Sequence, residues 1–170
     1  SESSIDKVFI QKDVSGHLMN ELMTLLRVNS IAFSYVPVEK LDKLSKYSNH
    51  QGAVAQIAPI DFHDLDTLVE SVLKKEENPL FLLLDQVSDV RNFGAIIRTA
   101  ECTGVHGIII QNQGNAPVNA ETVKTSAGAA FNIPICKVSH IKDALFILQA
   151  AEIQIVAATE KTEDLLYDID

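Results

Sequence analysis

The stretch LFLLLDQVSDVRNFGAIIRTAECTG, residues 80–104, decides how this chain folds. Its apolar opening, LFLLLD (80–85), predicts a buried strand. A helix is expected to follow over residues 93–103, with Gly104 as its stop. Arg98 then places a lone charge between Ile97 and Thr99, on an otherwise small and apolar surface of that helix. Because helix stability does not account for Arg98, we expect a functional role for it.

The rest of the second half also alternates strands with helices. Near-continuous apolar strands that are separated by helices favour a parallel sheet covered on both faces. Further strands are predicted at 107–111, around 132–136 and at 153–159, and further helices near 120–126 and at 142–151.

The first sixty residues have a strand and helix pattern of their own. Two helices are expected there, the second opening at Pro37, and they are enclosed by strands predicted at 6–10, 31–36 and 52–59. An amphipathic helix follows and closes with a charged, proline-terminated run, and the pattern leaves open which neighbour it packs against. We therefore expect three parts: residues 1–60, a linker helix within 61–78, and a second unit over 79–170.

Composition excludes several classes of protein. With 46% hydrophobic residues among 170, the chain can form a core, yet it has no run of about 18 apolar residues that could span a bilayer. Its start, SESSIDKVF, lacks the basic and apolar regions of a signal peptide, so we expect a cytoplasmic protein with no membrane partner. The five histidines never occur three or four residues apart, and the two cysteines form no C-x-x-C pair, which predicts chemistry without a metal.

Polar residues gather just after the first strand of the second half, at the carboxyl end where doubly wound sheets bind ligands. They are Asp85, Asp89, Asn92 and Arg98. The pattern alone allows a ligand site, or a structural turn in which Asn92 caps the helix and Arg98 pairs with a nearby aspartate. No G-x-G-x-x-G follows this strand, and GNAP (114–117) lacks the lysine and hydroxyl of a phosphate loop, so dinucleotide and P-loop interpretations are weak.

Residues 84–100 carry a longer and more specific pattern, Leu-Asp-x-Val-x-Asp-x-x-Asn-x-Gly-Ala-x-x-Arg-Thr-Ala. This pattern resembles the first signature motif of the SpoU family of RNA ribose 2′-O-methyltransferases. VKTSAGAAFNIPI (123–135) is similar to the family's Ser-x-Gly-Ala segment, and the N-terminal unit, ending HQGAVAQIAP, resembles its small substrate-binding domain. The resemblance covers nearly the whole chain. Val90 stands where the family usually has proline, a difference that removes no functional group.

The resemblance implies a fold and an activity. The fold is α/β, with a small N-terminal RNA-binding domain of ribosomal-protein-like shape and a Rossmann-like parallel-sheet domain that begins an α/β-knot methyltransferase. The activity is methyl transfer from S-adenosyl-L-methionine to a ribose 2′-hydroxyl in RNA, with rRNA rather than tRNA as the substrate. The resemblance further points to the guanosine-modifying branch and to a homodimer as the complete enzyme.

Two residues of the first motif are expected to act on the substrate. Arg98 is the expected catalytic and RNA-positioning residue, because a guanidinium can hold a phosphate bidentately and stabilise a developing oxyanion. Asn92 is expected to orient Arg98 or the backbone around it. Ser126 and Gly128 are expected to shape the adjoining loop and to contact the substrate.

Other candidates rest on weaker patterns. Lys40, Lys43 and Lys46 are candidates for an RNA-binding patch, although a solvated helix face is the commoner explanation of such a run. Thr159, at the end of the strand predicted at 153–159, is a candidate to border the cofactor, or else an ordinary strand end.

Two features limit these expectations. The sequence ends before the family's second and third motifs, a Gly-Ser-Glu-Gly type loop and a Ser-Leu-Asn-Val type segment, which build most of the S-adenosylmethionine pocket and the knot. We therefore expect an incomplete pocket and an inactive chain. The net charge of −9 is compatible with RNA only if folded RNA is recognised through a limited patch. The alternative is a non-catalytic RNA-binding or assembly module without the cofactor-binding half.

Overall fold

The computed structural model describes residues 5–159, 161 and 165, and within them the chain forms a mixed α/β structure with two three-stranded sheets. The strands are β1 (Ile5–Gln11), β2 (Phe33–Val36), β3 (Ala53–Ile57), β4 (Phe81–Leu84), β5 (Gly107–Gln111) and β6 (Ile135–Val138). The helices are α1 (His17–Val28), α2 (Val38–Leu44), α3 (Leu65–Leu73), α4 (Val90–Cys102), α5 (Ala120–Thr125) and α6 (Ile141–Ala150), with a 3₁₀ turn at Ala129–Phe131. None of the helices in these described ranges is long and apolar enough to cross a membrane.

The N-terminal sheet has the order β2-β1-β3, with β1 parallel to β2 and antiparallel to β3. Burial alternates along β1, because one face of this strand packs against α1 while the other is partly open. The core between them consists of Val8, Ile10, Met23 and Leu26. The five elements predicted for the first sixty residues are confirmed.

The second sheet is parallel throughout and has the order β4-β5-β6. Its central strand explains the continuous apolar sequence: Ile108 and Ile110 face a core that includes Phe93 of α4, whereas Ile109 faces a second core with Leu68 of α3. A strand that is buried on both faces has no position for a polar residue. The predicted parallel sheet with helices on both faces is confirmed.

Helix α3 packs on the second sheet, although the sequence left its partner open. Leu65, Leu68, Val69 and Val72 join a core with strand β6 and helix α6. The segment before α3 adds to the outer edge of β6, where His63 forms a parallel bridge to Cys136 and its N–H donates to the Ile135 carbonyl at 2.9 Å. The division of the chain at residues 60 and 78 stays a prediction.

Helix α4 begins earlier than the sequence predicts. Asn92 does not cap it; the side chain of Asp89 accepts hydrogen bonds from the N–H groups of Arg91 and Asn92, at 2.9 and 2.8 Å. Both residue types are good caps, and the earlier one in the chain takes the role. The helix therefore starts at Val90.

The strand predicted at 153–159 is not formed, since these residues, all of them described, belong to no helix or strand. Ile155 and Val156 are 38% and 48% exposed. An apolar sequence favours an extended chain, but a strand also needs a neighbouring backbone to pair with. The outer edge of β6 already carries His63, and the outer edge of β4 pairs with no strand in the described ranges. The expectation that Thr159 ends a strand was therefore wrong.

Candidate functional site

The loops after β4 and β5 meet at the carboxyl edge of the parallel sheet. The N–H of Val87 donates to Asn115 Oδ1 at 3.0 Å, and the N–H of Ala116 donates to the Val87 carbonyl at 2.8 Å. Asn115 Nδ2 also donates to the Gln111 carbonyl, at 3.4 Å. These bonds hold the two loops together, so the edge predicted from the sequence to bind a ligand is an organised surface.

The first turn of α4 presents Asn92 at this edge. Asn92 is exposed and lies three residues after the capping residue Asp89. Val90, at the first helical position, is where proline is most easily accommodated in a helix, because its N–H has no intrahelical partner there. The backbone at Val90 is therefore the same kind of position whether valine or proline occupies it.

Arg98 is exposed near the middle of α4. No ion pair joins it to another residue in the part of the chain that the structure describes, so it does not pair with Asp85 or Asp89 as the structural alternative required. Asn92 precedes it by six positions, about 9 Å along the helix axis. Its guanidinium is therefore available to a ligand, and the orienting role of Asn92 stays a prediction.

Helix α4 is held against α5 by a very close approach at Gly94. A Cβ on Gly94 would overlap the Thr125 side chain and lie 2.9 Å from the Thr125 carbonyl carbon. The Thr125 hydroxyl donates to the Val90 carbonyl at 3.2 Å, which ties the first turn of α4 to the end of α5. The close approach that a glycine permits is used here by a neighbouring helix.

Ser126 and Gly128 form the turn that follows α5, and this turn packs beside α4. Ser126 is completely buried; its hydroxyl donates to the Val123 carbonyl at 3.0 Å and accepts from the Ala130 N–H at 3.3 Å. Gly128 has φ of 87°, a left-handed conformation in which a side chain would be strained. Both residues shape the loop, while their contact with a substrate stays a prediction.

The two lysine candidates within α2 have different surroundings. Lys40 of α2 has its Nζ 5.3 Å from the centre of the Phe9 ring and lines a cleft between the two halves of the chain. Lys43 is exposed on the same helix and does not line that cleft. Thr159 is exposed, and its hydroxyl accepts a hydrogen bond from the Lys161 N–H at 3.3 Å.

Comparison with known proteins supplies the family. Residues 79–170 match the model of the SpoU rRNA Methylase family, and residues 1–63 match a second model described as RNA 2′-O ribose methyltransferase substrate binding. The first match alone covers more than half of the chain. The chain belongs to the SpoU rRNA methylase family.

The relatives of this SpoU chain include a bacterial enzyme whose name states its specificity. It is 33% identical over 165 residues to 23S rRNA (guanosine-2′-O-)-methyltransferase RlmB of Photobacterium profundum, covering 95% of this chain and 66% of that protein. It is 29% identical over 170 residues to a Bacillus subtilis protein assigned to the TrmH family of tRNA/rRNA methyltransferases, covering all of this chain and 68% of the relative. The chain is 34% identical to staphylococcal relatives and covers 55 to 59% of their length.

A solved structure of an AdoMet-bound rRNA methyltransferase from Sinorhizobium meliloti aligns with the SpoU chain at 23% identity and a TM-score of 0.47. The alignment covers 88% of this chain and 52% of that one. The SpoU chain spans about two thirds or less of the length of most of these relatives.

Sequence analysis missed one cluster in this SpoU chain, which joins its two halves. Lys137 of β6 lies 2.5 Å from Asp6 of β1, and its Nζ is also 4.2 Å from the centre of the Phe62 ring. Asp6 Oδ2 is buried and has no hydrogen-bond partner within the described residues. The only trace in the sequence is a lysine inside the apolar strand ICKV.

Two further groups have shifted pKa values where the segment before α3 meets β6. Hydrogen bonds from the Thr67 N–H and hydroxyl hold the pKa of Asp64 below its ordinary value. Burial, reinforced by the negative charge of Asp64, raises the pKa of the Cys136 thiol to about 12. Cys136 is therefore a neutral core residue at physiological pH.

Proposed function

We propose that this SpoU-family protein methylates a ribose 2′-hydroxyl in RNA with S-adenosyl-L-methionine as the methyl donor. Family membership over both halves supports the reaction class, since one matched model describes a methylase and the other a substrate-binding unit for RNA 2′-O ribose methyltransferases. The name of the Photobacterium relative supports a guanosine of 23S rRNA as the target.

The exposure of Arg98, and its lack of an ion-pair partner among the described residues, carry this proposal. A ribose hydroxyl becomes a good nucleophile only when its proton leaves or its developing negative charge is stabilised. An exposed guanidinium without an ion-pair partner among the described residues can stabilise that negative charge and hold an adjacent phosphate bidentately. Because an arginine is protonated at all accessible pH values, its role is to position the RNA and stabilise charge, not to remove the proton.

The described residues fit the methyl donor only in part. A groove of about 500 Å³ runs beside β4 and α4, and it is lined by Leu82, Leu84, Ile96, Thr99 and other small or apolar residues. Such a wall suits the apolar parts of the donor, but none of its side chains carries a charge for the donor's amino or carboxylate group. The described part of the chain therefore acts on the RNA acceptor in this proposal.

A methyl-transfer assay tests the proposed function. The protein expressed from the complete gene is incubated with radiolabelled S-adenosylmethionine and with transcribed 23S rRNA or a tRNA mixture, and the RNA is then hydrolysed in alkali. Ribose methylation blocks cleavage at the modified nucleotide, so label should be found in alkali-resistant dinucleotides from the rRNA. Label in base-modified mononucleotides, or no transfer to either RNA, would contradict the proposal.

Arg98 variants provide the matched test of the catalytic assignment. Arg98→Ala should reduce transfer at least a hundredfold, by loss of oxyanion stabilisation, while leaving the melting temperature within a few degrees. Arg98→Lys should recover only part of the activity, because an ammonium lacks the planar fork of the guanidinium. Lys142→Gln, an exposed change on α6, is the control. Normal turnover by folded Arg98→Ala would remove Arg98 from the mechanism.

The same assay separates the enzyme from a non-catalytic RNA-binding module. A module binds RNA and transfers no label, whereas the proposed enzyme binds RNA and transfers label to it.

The proposal also includes a homodimer and an rRNA target. Analytical ultracentrifugation of the protein at assay concentration measures its oligomeric state.

A further inference from the structure

Two adjacent clefts follow the boundary between the N-terminal sheet and the parallel sheet. The first, of about 420 Å³, includes Phe9 of β1, Phe33 of β2 and Lys40 of α2. The second, of about 590 Å³, includes Arg27 of α1 and Gln86 after β4. Both clefts share Phe33 and the loop residues 111–114, so they form one groove that runs over this loop.

The charge of this groove differs from that of the whole chain. The protein carries a net charge of −9, yet the side chains lining the groove include four cations and one carboxylate. The carboxylate is Asp6, which is already paired with Lys137 at 2.5 Å. Lys7, Lys40 and Arg27 remain as the cations without a carboxylate partner among the described residues. A polyanion is therefore the ligand that the groove attracts.

An aromatic ring lies close to two of these cations. Phe9 is half-buried, with Lys7 Nζ 5.5 Å and Lys40 Nζ 5.3 Å from its ring centre. Lysine side chains on a surface move freely, so either can leave the ring and reach a phosphate while a planar group takes its place. Cationic side chains beside an accessible aromatic face are the combination that binds unpaired bases and their phosphates.

The loop on the other side of the groove supplies amide groups. Gln111, Asn112, Gln113 and Asn115 line it, and amides can both donate to and accept from the edge of a base. Asn115 is held in place by its bond to the Val87 N–H, so this side of the groove is ordered. Gln86 brings the groove to the loop after β4, which precedes α4 and Arg98.

We propose that this groove binds a single-stranded segment of the RNA, with one base stacked on Phe9 and its phosphates held by Lys7, Lys40 and Arg27. The inference rests on the proposed function, because the segment would lead the target nucleotide to the carboxyl edge of the parallel sheet. A duplex does not suit the groove, since paired bases cannot present a face to Phe9. A volume of about 420 Å³ in the first cleft is within the range of small-ligand sites and suits one nucleotide.

Fluorescence anisotropy tests the groove with a labelled single-stranded RNA of about ten nucleotides and with a duplex of the same sequence. Without S-adenosylmethionine, the protein should bind the single strand more tightly than the duplex. Phe9→Leu should weaken single-strand binding about tenfold, by loss of stacking, and leave the salt dependence of the dissociation constant unchanged. Lys7→Gln and Lys40→Gln should each lower the slope of log Kd against log salt by about 0.7.

An exposed lysine outside the groove provides the control for these variants. Lys142→Gln removes an exposed lysine outside both clefts and should change neither the affinity nor the slope by a comparable amount. If Phe9→Leu does not fold, the lysine variants carry the test, because they alter side chains that reach the surface. Equal binding by wild type and all variants, or tighter binding of the duplex, would contradict the proposal that the groove binds single-stranded RNA.

Methyl transfer measured in parallel separates this inference from the proposed function. Weakened RNA binding in the groove variants, with transfer restored at saturating RNA, supports both. If the wild-type enzyme is active but the groove variants bind RNA as tightly as it does, the groove proposal fails and the proposed function stands. Absence of transfer by the wild-type protein overturns the proposed function, whatever the groove variants do.

Discussion

Gly94 shows how a single residue sets the distance between two helices. Gly94→Ala should lower the free energy of unfolding by about 1–3 kcal/mol, because the new methyl group would overlap Thr125. Thr125→Ala should restore only part of the loss, since the Thr125 carbonyl carbon lies 2.9 Å from the added Cβ and remains in the double variant. Urea denaturation measures both. Ala95→Ser, exposed on the same helix, is the control, and a Gly94→Ala variant as stable as wild type would show that α4 and α5 are further apart in solution.

The two cysteines should differ in reactivity at mildly alkaline pH. Cys102 is exposed, whereas Cys136 is fully buried and has its pKa raised to about 12, so it has almost no thiolate to react. A thiol-specific reagent should therefore modify one cysteine rapidly and the second only after unfolding in guanidinium chloride. Cys102→Ser should abolish the rapid phase. Two rapid phases in the native protein would contradict the burial of Cys136.

At the scale of elements, helix α3 depends on its cap. Asp64→Ala should cost about 1 kcal/mol at neutral pH, because Asp64 Oδ1 accepts from the Thr67 N–H at 2.9 Å and the Thr67 hydroxyl at 2.8 Å. Hydrogen bonds from Thr67 hold the folded-state pKa of Asp64 below its ordinary value, so the carboxylate contributes fully above that ordinary pKa, and the contribution is lost as pH falls through the folded-state pKa. Wild type and variant should therefore converge in strong acid.

Urea denaturation at neutral pH and in acid measures this difference. Asp61→Ala, which changes an exposed carboxylate before the helix, should cost less than about 0.5 kcal/mol. A cost for Asp64→Ala that is constant from neutral pH into strong acid would exclude the charged cap as its cause.

At the scale of the whole molecule, one buried ion pair connects the two halves. Lys137→Met should lower the free energy of unfolding by about 3 kcal/mol, because it leaves the Asp6 carboxylate, whose side chain is 3% exposed, without a counter-charge. The double variant Asp6→Leu/Lys137→Met should recover much of this loss, since it leaves no buried charge. Urea denaturation of the single and double variants measures the coupling.

An exposed ion pair provides the comparison. Lys74 and Glu70 lie 3.8 Å apart on α3 with side chains that are 74% and 73% exposed, so Lys74→Met should cost less than about 1 kcal/mol. Additive effects of the Asp6 and Lys137 changes would show that the two residues do not contact each other in solution.

Much of the fold follows from local pattern. The continuous apolar run GIIIQ predicts β5, and the helical spacing of apolar residues predicts α3, because both patterns record which side chains face a core. The family motif around Arg98 could equally be identified from the sequence, since its residues lie within one segment. What the sequence indicated less well was the start of α4, where Asp89 and Asn92 are both suitable caps and the geometry of the turn selects Asp89.

The sequence by itself determined the order of strands and helices, the parallel sheet and the family motif, because these depend on neighbours in the chain. Only the tertiary structure decided that residues 153–159 form no strand, since a strand needs a partner backbone that its own apolar sequence does not specify. It also brought Lys137 to Asp6 across 131 positions and Lys40 to Phe9. Contacts between distant segments leave no periodic pattern, and for that reason the groove between the two halves was not foreseen.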